Sequence, residues 1–177
     1  VLGSAASQAG SFHAGEIRAR HEARLAFRVG GKVVARLVDV GAEVKAGQAL
    51  ARLESNDVAL DLAARRAKLA AAEADWKQNE ADIRRYRELL AQNFISQAEF
   101  DRRTSALAAA KGGYEAALAT AQLGENQQHY TTLNADRAGV VTYLDAEIGQ
   151  VVNAGQVVAR VAEPGQREAV IAVAESQ

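Results

Sequence analysis

The chain has 177 residues, with 22 acidic and 21 basic side chains and a formal net charge of -1. That balance leaves no electrostatic footprint for nucleic acid or an anionic membrane surface. The absence of cysteine excludes disulfides, thiolate catalysis and cysteine-zinc sites, and no apolar run approaches the roughly 18 residues of a membrane-spanning helix.

Val1 to Ser11 is small and polar without periodicity and reads as a linker or flexible end. No signal peptide and no initiating methionine are present, which suggests a mature or trimmed fragment. From Phe12 onward, Glu16 to Arg20 and then Arg24 to Val29 alternate charged and apolar residues as exposed strands do. Gly31 to Gly41 is a β-branched run ending on glycine, followed by Val44, Gly47, Gln48 and Leu50 to Leu53.

This block recurs. With Gly31 laid on Gly139, Val33 falls on Val141, Gly41 on Gly149, Val44 on Val152, Gly47 on Gly155, Gln48 on Gln156 and Arg52 on Arg160. Glycines matched in spacing together with matched apolar positions mark an internal repeat. Gly31, Gly41, Gly47, Gly139, Gly149 and Gly155 are expected where turns need positive φ or close backbone approach. Each copy, at about four short strands, is too small to cover a core alone. Two copies face to face make a small β-sandwich.

Between the copies, residues 55–133 read as two long helices broken at Gln92 to Ser96. Leu62, Leu69, Trp76, Ile83 and Leu90 recur every seven residues, with Val58, Arg65, Ala72, Asn79 and Tyr86 between them. Phe100, Leu107, Tyr114 and Ala121 repeat likewise, with Ala110 and Ala117 between. A sustained heptad is a narrow coiled-coil seam, and a break this short forces an antiparallel hairpin, about 50 Å long. The hairpin is an insertion within a β-domain, so the fold class is α+β and elongated. Acid-to-base pairs are expected at Asp61–Arg65, Glu73–Lys77, Glu80–Arg84 and Glu99–Arg103. Ser96-Gln97-Ala98-Glu99 has the form of a reciprocal capping box. Gly112-Gly113 falls opposite Trp76, whose indole is expected to cover the pair.

Glu163 to Gln166 is a turn by composition, and Glu168 to Ala174 is strand-like. Residues 12–26 and 163–177 together suggest part of a further β-domain, as if the chain were cut through it. Residues 27–54 and 134–162 form the repeated sandwich. His13, His21 and His129 have no paired ligand spacing, and no phosphate-cradling loop or nucleophile elbow occurs. No enzyme, metal site or cofactor is expected.

A glycine-turn β-repeat split by a helical hairpin resembles the periplasmic adaptor, or membrane fusion, proteins of tripartite efflux pumps, of RND type and HlyD-like. Leu25 to Val33 resembles that family's entry into its lipoyl/biotinyl-type domain (a barrel-sandwich hybrid), and Asp39 to Leu50 resembles its signature turn. The family's channel-docking motif is arginine, three residues, leucine, six residues, serine. Arg85, Leu89 and Ser96 fit it, beside a tip at Asn93, Phe94 and Ile95. The resemblance implies a non-enzymatic adaptor, periplasmic and held to the inner membrane by a segment absent here. It would link an inner-membrane transporter, RND in preference to ABC, to a TolC-type outer-membrane channel. It would also self-associate into a ring, as a hexamer or trimer of dimers, and its partial further domain would be a β-barrel.

A lipoyl or biotinyl carrier domain is the rival of another class. It presents a lysine on the turn between its halves, where this chain has Glu54-Ser55-Asn56-Asp57 and no amine to acylate.

Overall fold

The computed structural model describes residues 15–165 and 167–171. The expected linker at residues 1–11, and residues 12–14, 166 and 172–177 of the expected further domain, lie outside the described residues. Among the described residues ten strands and two helices follow in order. They are β1 (Gly15–Ala19), β2 (Glu22–Ala26), β3 (Gly31–Arg36), β4 (Glu43–Val44), β5 (Ala49–Leu53), α1 (Asn56–Ala91), α2 (Gln97–His129), β6 (Thr132–Asn134), β7 (Gly139–Leu144), β8 (Val151–Val152), β9 (Val157–Ala162) and β10 (Arg167–Ile171).

The sequence repeat is a structural repeat with exchanged strands. One four-stranded sheet runs β2-β9-β7-β4 and the other β6-β5-β3-β8, so each sheet takes two strands from each copy. β4 of the first copy pairs with β7 of the second, Val44 opposite Gly139. β8 returns the exchange on β3, Val152 opposite Gly31. The turns repeat bond for bond. Gly41 N donates to Val141 O and Gly149 N to Val33 O, both at 2.8 Å. Gln48 Oε1 accepts from Lys45 N at 3.0 Å, as Gln156 Oε1 does from Asn153 N at 3.1 Å. Neither copy closes its own sheets, which is the physical reason a single copy would be unstable.

Between the sheets lies the core, with Phe27, Val33, Leu50, Leu53, Val141, Val152, Val158 and Val161 all essentially inaccessible to solvent. The expected glycines divide into two kinds. Gly41, Gly47, Gly149 and Gly155 sit at φ of 91°, 80°, 93° and 79° in tight turns, where a Cβ would be strained. Gly31 and Gly139 are not turn residues. They begin β3 and β7, and what Gly139 provides is closeness: a Cβ there would lie 2.3 Å from the Ala162 carbonyl oxygen.

The boundary placed after residue 26 needs correction. β2 pairs antiparallel with β9, Leu25 opposite Ala159, and Leu25 belongs to the sandwich core. In the repeat β2 is the counterpart of β6, with Leu25 matching Leu133. Residues 22–26 are thus the first strand of the sandwich, and only β1 joins β10 in a separate two-stranded sheet, Ile17 opposite Ala169.

The hairpin leaves the sandwich after β5 and returns into β6. Its buried or half-buried residues follow the heptad seam: Leu62, Leu69, Trp76, Ile83 and Leu90 on α1, and Phe100, Leu107, Tyr114 and Ala121 on α2. Trp76 is half-buried, but its indole stacks on Tyr114 with ring centroids 4.9 Å apart. It does not cover Gly112-Gly113. A Cβ at either glycine would meet nothing within 4 Å, so the expected indole lid is absent and the pair is simply weak helix. Gly112→Ala and Gly113→Ala are each expected to stabilise the hairpin by about 0.8–1 kcal/mol. Urea denaturation followed at 222 nm reads this gain directly.

Candidate partner-docking site at the hairpin tip

The tip is built by two helix ends that meet through backbone bonds. α1 finishes on Ala91, with Gln92 as its cap. Asn93 then takes φ 58° in the left-handed region. Asn93 N donates to Leu90 O at 3.0 Å and Phe94 N to Leu89 O at 2.9 Å. This pair of bonds is a Schellman termination, with asparagine where glycine is commonest. It reverses the chain within five residues and leaves the Phe94 ring 72% exposed.

α2 starts on Ser96, whose extended backbone (φ -81°, ψ 156°) lets its hydroxyl accept from Glu99 N at 3.2 Å. The serine half of the expected capping box is therefore formed. The glutamate half is not, because the Glu99 carboxylate is engaged elsewhere. It accepts from Arg102 and, at 2.9 Å, from Arg103 Nε. Hydrogen bonding from Arg102, then from Arg103, holds its carboxyl below the usual carboxylate range. Ser96→Ala is expected to cost about 1 kcal/mol of hairpin stability, with Ser96→Asp recovering most of it.

Arg85 and Leu89 lie one turn apart on α1. The Arg85 side chain is 70% exposed and bonds to Asp82, so it is a positioned cation. Asp82 is held below the usual carboxylate range by Arg85 first and Gln78 second. For both Asp82 and Glu99 the folded-state value is depressed. Their ion pairs are thus present above the ordinary carboxylate pKa and are lost only as pH falls through the depressed values. Leu89, 37% exposed, flanks the seam residue Leu90. The structure brings Arg85 and Leu89 together on one stretch of α1 and puts Ser96 across the turn, as the start of α2. Ile95 is half-buried.

All four expected helix pairs are formed, with Asp61–Arg65 at 2.6 Å, Glu73–Lys77 at 2.5 Å, Glu80–Arg84 at 3.4 Å and Glu99–Arg103 at 2.9 Å. Arg103 also lies over the Tyr86 ring, 4.7 Å from its centroid, a cation–π contact that stiffens the tip below the turn. The signal for it was available, since Tyr86 occupies a seam position and Arg103 stands at the matching place on α2. At the other end of the hairpin an open polar cleft of about 550 Å³ is lined by Arg52, Ser55, Arg66, Glu125 and His129 among others. Arg66 and Glu125 satisfy each other at 2.7 Å there. Among the described residues no cluster of histidine, aspartate and glutamate is placed to hold a metal. No helix among them is long and apolar enough to cross a membrane.

Comparison with known proteins places this geometry. Residues 61–131 match the α-helical hairpin domain of RND membrane fusion proteins. The multidrug resistance protein MdtA of Pectobacterium atrosepticum is 29% identical over 144 residues, covering 80% of this chain and 34% of its own. The chain thus spans about a third of the length of the curated relatives it matches. Among solved structures, MacA from Actinobacillus actinomycetemcomitans aligns with a TM-score of 0.70 at 21% identity, over 88% of this chain and 53% of that one. ZneB from Cupriavidus metallidurans aligns at 0.59 and 21%, over 85% and 64%. These two likenesses concern the fold, an inserted hairpin on a β-sandwich. The hairpin match and the MdtA relatives together make the chain similar to RND-type membrane fusion proteins, with the family model covering its helical hairpin.

Proposed function

We propose that the chain is the hairpin-bearing part of a periplasmic adaptor that couples an inner-membrane transporter to a TolC-type outer-membrane channel in a tripartite efflux system. The observation that carries this reading is the tip. A two-helix arm about 50 Å long ends in a turn fixed by a Schellman termination and a serine cap, and displays Arg85, Leu89 and Phe94 to solvent. A stiff arm with a small, ordered, partly apolar end suits recognition by shape and directed hydrogen bonds rather than by bulk charge. Ser96 contributes through the shape its cap imposes. The RND class of the matched hairpin favours an RND transporter over an ABC exporter as the inner-membrane partner.

Self-association into a ring is part of the proposal. Each helix carries, outside the seam, a second exposed stripe at heptad spacing. Ala63, Ala67, Ala70 and Ala74 form it on α1, and Ala109, Gly112, Ala116 and Ala119 on α2. Two different surfaces on one protomer suit the head-to-tail contact that closes a ring of six subunits or of three dimers.

Affinity purification of the tagged full-length protein from its host tests the reading. The intact protein is expected to retain both a transporter and an outer-membrane channel. A variant with residues 84–101 replaced by a short glycine link should keep the transporter and lose the channel. Retention of the channel by the tipless variant would contradict the proposal.

A further inference from the structure

Two side chains beyond the three-residue motif take the same geometry on α2 that Arg85 and its partner take on α1. On α1, Asp82 stands one position before the seam residue Ile83 and binds Arg85, three residues on. On α2, Glu99 stands one position before the seam residue Phe100 and binds Arg102, three residues on. Both carboxylates are partly covered, at 27% and 25% exposure, while Arg85 and Arg102 are 70% and 75% exposed.

The heptad register places these pairs on one edge of the hairpin. Arg66 follows the seam residue Arg65, and Glu125 follows Gly124, which is buried against Leu62 and Arg65 of α1 and continues the seam. Arg66 and Glu125 meet at 2.7 Å, so the positions after these seam residues share one edge. The positions before the seam, Asp82 and Leu89 on α1 and Glu99 on α2, share the opposite edge. Arg103 lies close enough to lower the Asp82 carboxyl, which joins the two halves near the turn.

Resting on the docking reading above, we infer that Arg102 is a second specificity-determining arginine of the channel-docking surface. Arg85 and Arg102 stand on the edge that carries Leu89, one on each helix, and Asp82 and Glu99 act as positioning residues. A guanidinium has five N–H donors, and a single carboxylate leaves several of them for a partner. Two positioned guanidinium groups on the edge that carries an exposed leucine fit a partner surface of carboxylate and carbonyl oxygens beside an apolar notch. The occupant is accordingly the periplasmic end of the outer-membrane channel, because the edge is continuous with the Arg85–Leu89 face.

The test uses purified full-length protein and the purified outer-membrane channel of the same host. These 177 residues hold no cysteine, so with any cysteine elsewhere in the full-length protein replaced by serine, Gln92→Cys gives one cross-linking site, in the turn. In that background Arg102→Ala should lower capture about threefold and Arg102→Glu about tenfold, as for an arginine near the centre of an interface. Glu99→Gln, which frees Arg102 without removing it, should have a smaller effect than Arg102→Glu. Arg87 follows the seam residue Tyr86 and lies on the other edge, so Arg87→Glu should leave capture unchanged. Thermal melts of Arg102→Glu and Arg87→Glu should coincide with that of the Gln92→Cys parent. Equal capture by Arg102→Glu and the parent, or an equal loss with Arg87→Glu, would overturn the inference while leaving the docking reading intact. No capture by the parent would remove both.

Discussion

Phe27→Ala is expected to destabilise the β-sandwich by about 3–5 kcal/mol, the range for truncating a buried aromatic side chain. Phe27 follows β2, is 1% exposed and heads the largest fully buried side chains. Its carbonyl oxygen also accepts from Gly155 N at 2.9 Å. That bond ties the backbone at Phe27 to the repeated turn of the other copy. The counterpart of Phe27 in the repeat is Ala135, also buried, so this layer relies on one ring rather than two. Against a total stability of about 5–15 kcal/mol for a domain, such a loss approaches unfolding. Urea denaturation should show a large drop in midpoint, and Phe27→Leu should recover most of it. A change below about 1 kcal/mol would mean that the core is not centred where Phe27 lies.

Gly139→Ala is the second large effect, and it works by overpacking. The added Cβ would lie 2.3 Å from Ala162 O and 2.8 Å from Val161 Cγ1. β7 and β9 are the two central strands of their sheet, so the backbone cannot retreat without opening a ladder on one side. The expected cost is at the top of the range for forced insertions, about 3 kcal/mol. The matched position supplies the control. At Gly31 a Cβ would meet Leu53 Cδ1 at 3.3 Å, the end of a side chain that can shift, so Gly31→Ala should cost clearly less. Equal losses at the two sites would show that strand propensity rather than closeness decides the outcome.

The seam and the repeat were legible in the sequence because both are periodic. Leu62 to Leu90 and Phe100 to Ala121 announce their own spacing, and the glycines of Asp39 to Leu50 recur in Glu147 to Val158. The strand exchange was not legible, since a repeat says that two units are alike but not which edge each gives away. The place of β2 was missed for a related reason. Leu25 and Leu133 match across the repeat, yet Arg24-Leu25-Ala26 and Thr132-Leu133-Asn134 share only that residue, too little to extend the repeat by inspection. The indole lid on Gly112-Gly113 failed because Tyr114, the seam residue next to the glycines, offers Trp76 a flat ring. At the tip, the sequence offered Glu99 two competing partners. The guanidinium groups of Arg102 and Arg103 displaced the Ser96 amide, because a charged donor outbids a neutral one for a carboxylate.

That competition bears on function. The carboxylate that would have closed the serine cap instead holds two arginines, one over the Tyr86 ring and one exposed. The helix start is left to the Ser96 hydroxyl. The tip thus trades a few tenths of a kcal/mol of capping for positioned cations beside Leu89.

The central claim is that this tip meets an outer-membrane channel end-on. It is tested most directly in living cells, with a photo-reactive side chain at Gln92 of the full-length protein and identification of whatever it captures. The predicted result is a single covalent product with an outer-membrane channel, absent when the same probe replaces Ala74 halfway down the arm. Capture of the channel from Ala74 as readily as from Gln92, or a Gln92 product containing no outer-membrane protein, would contradict the account.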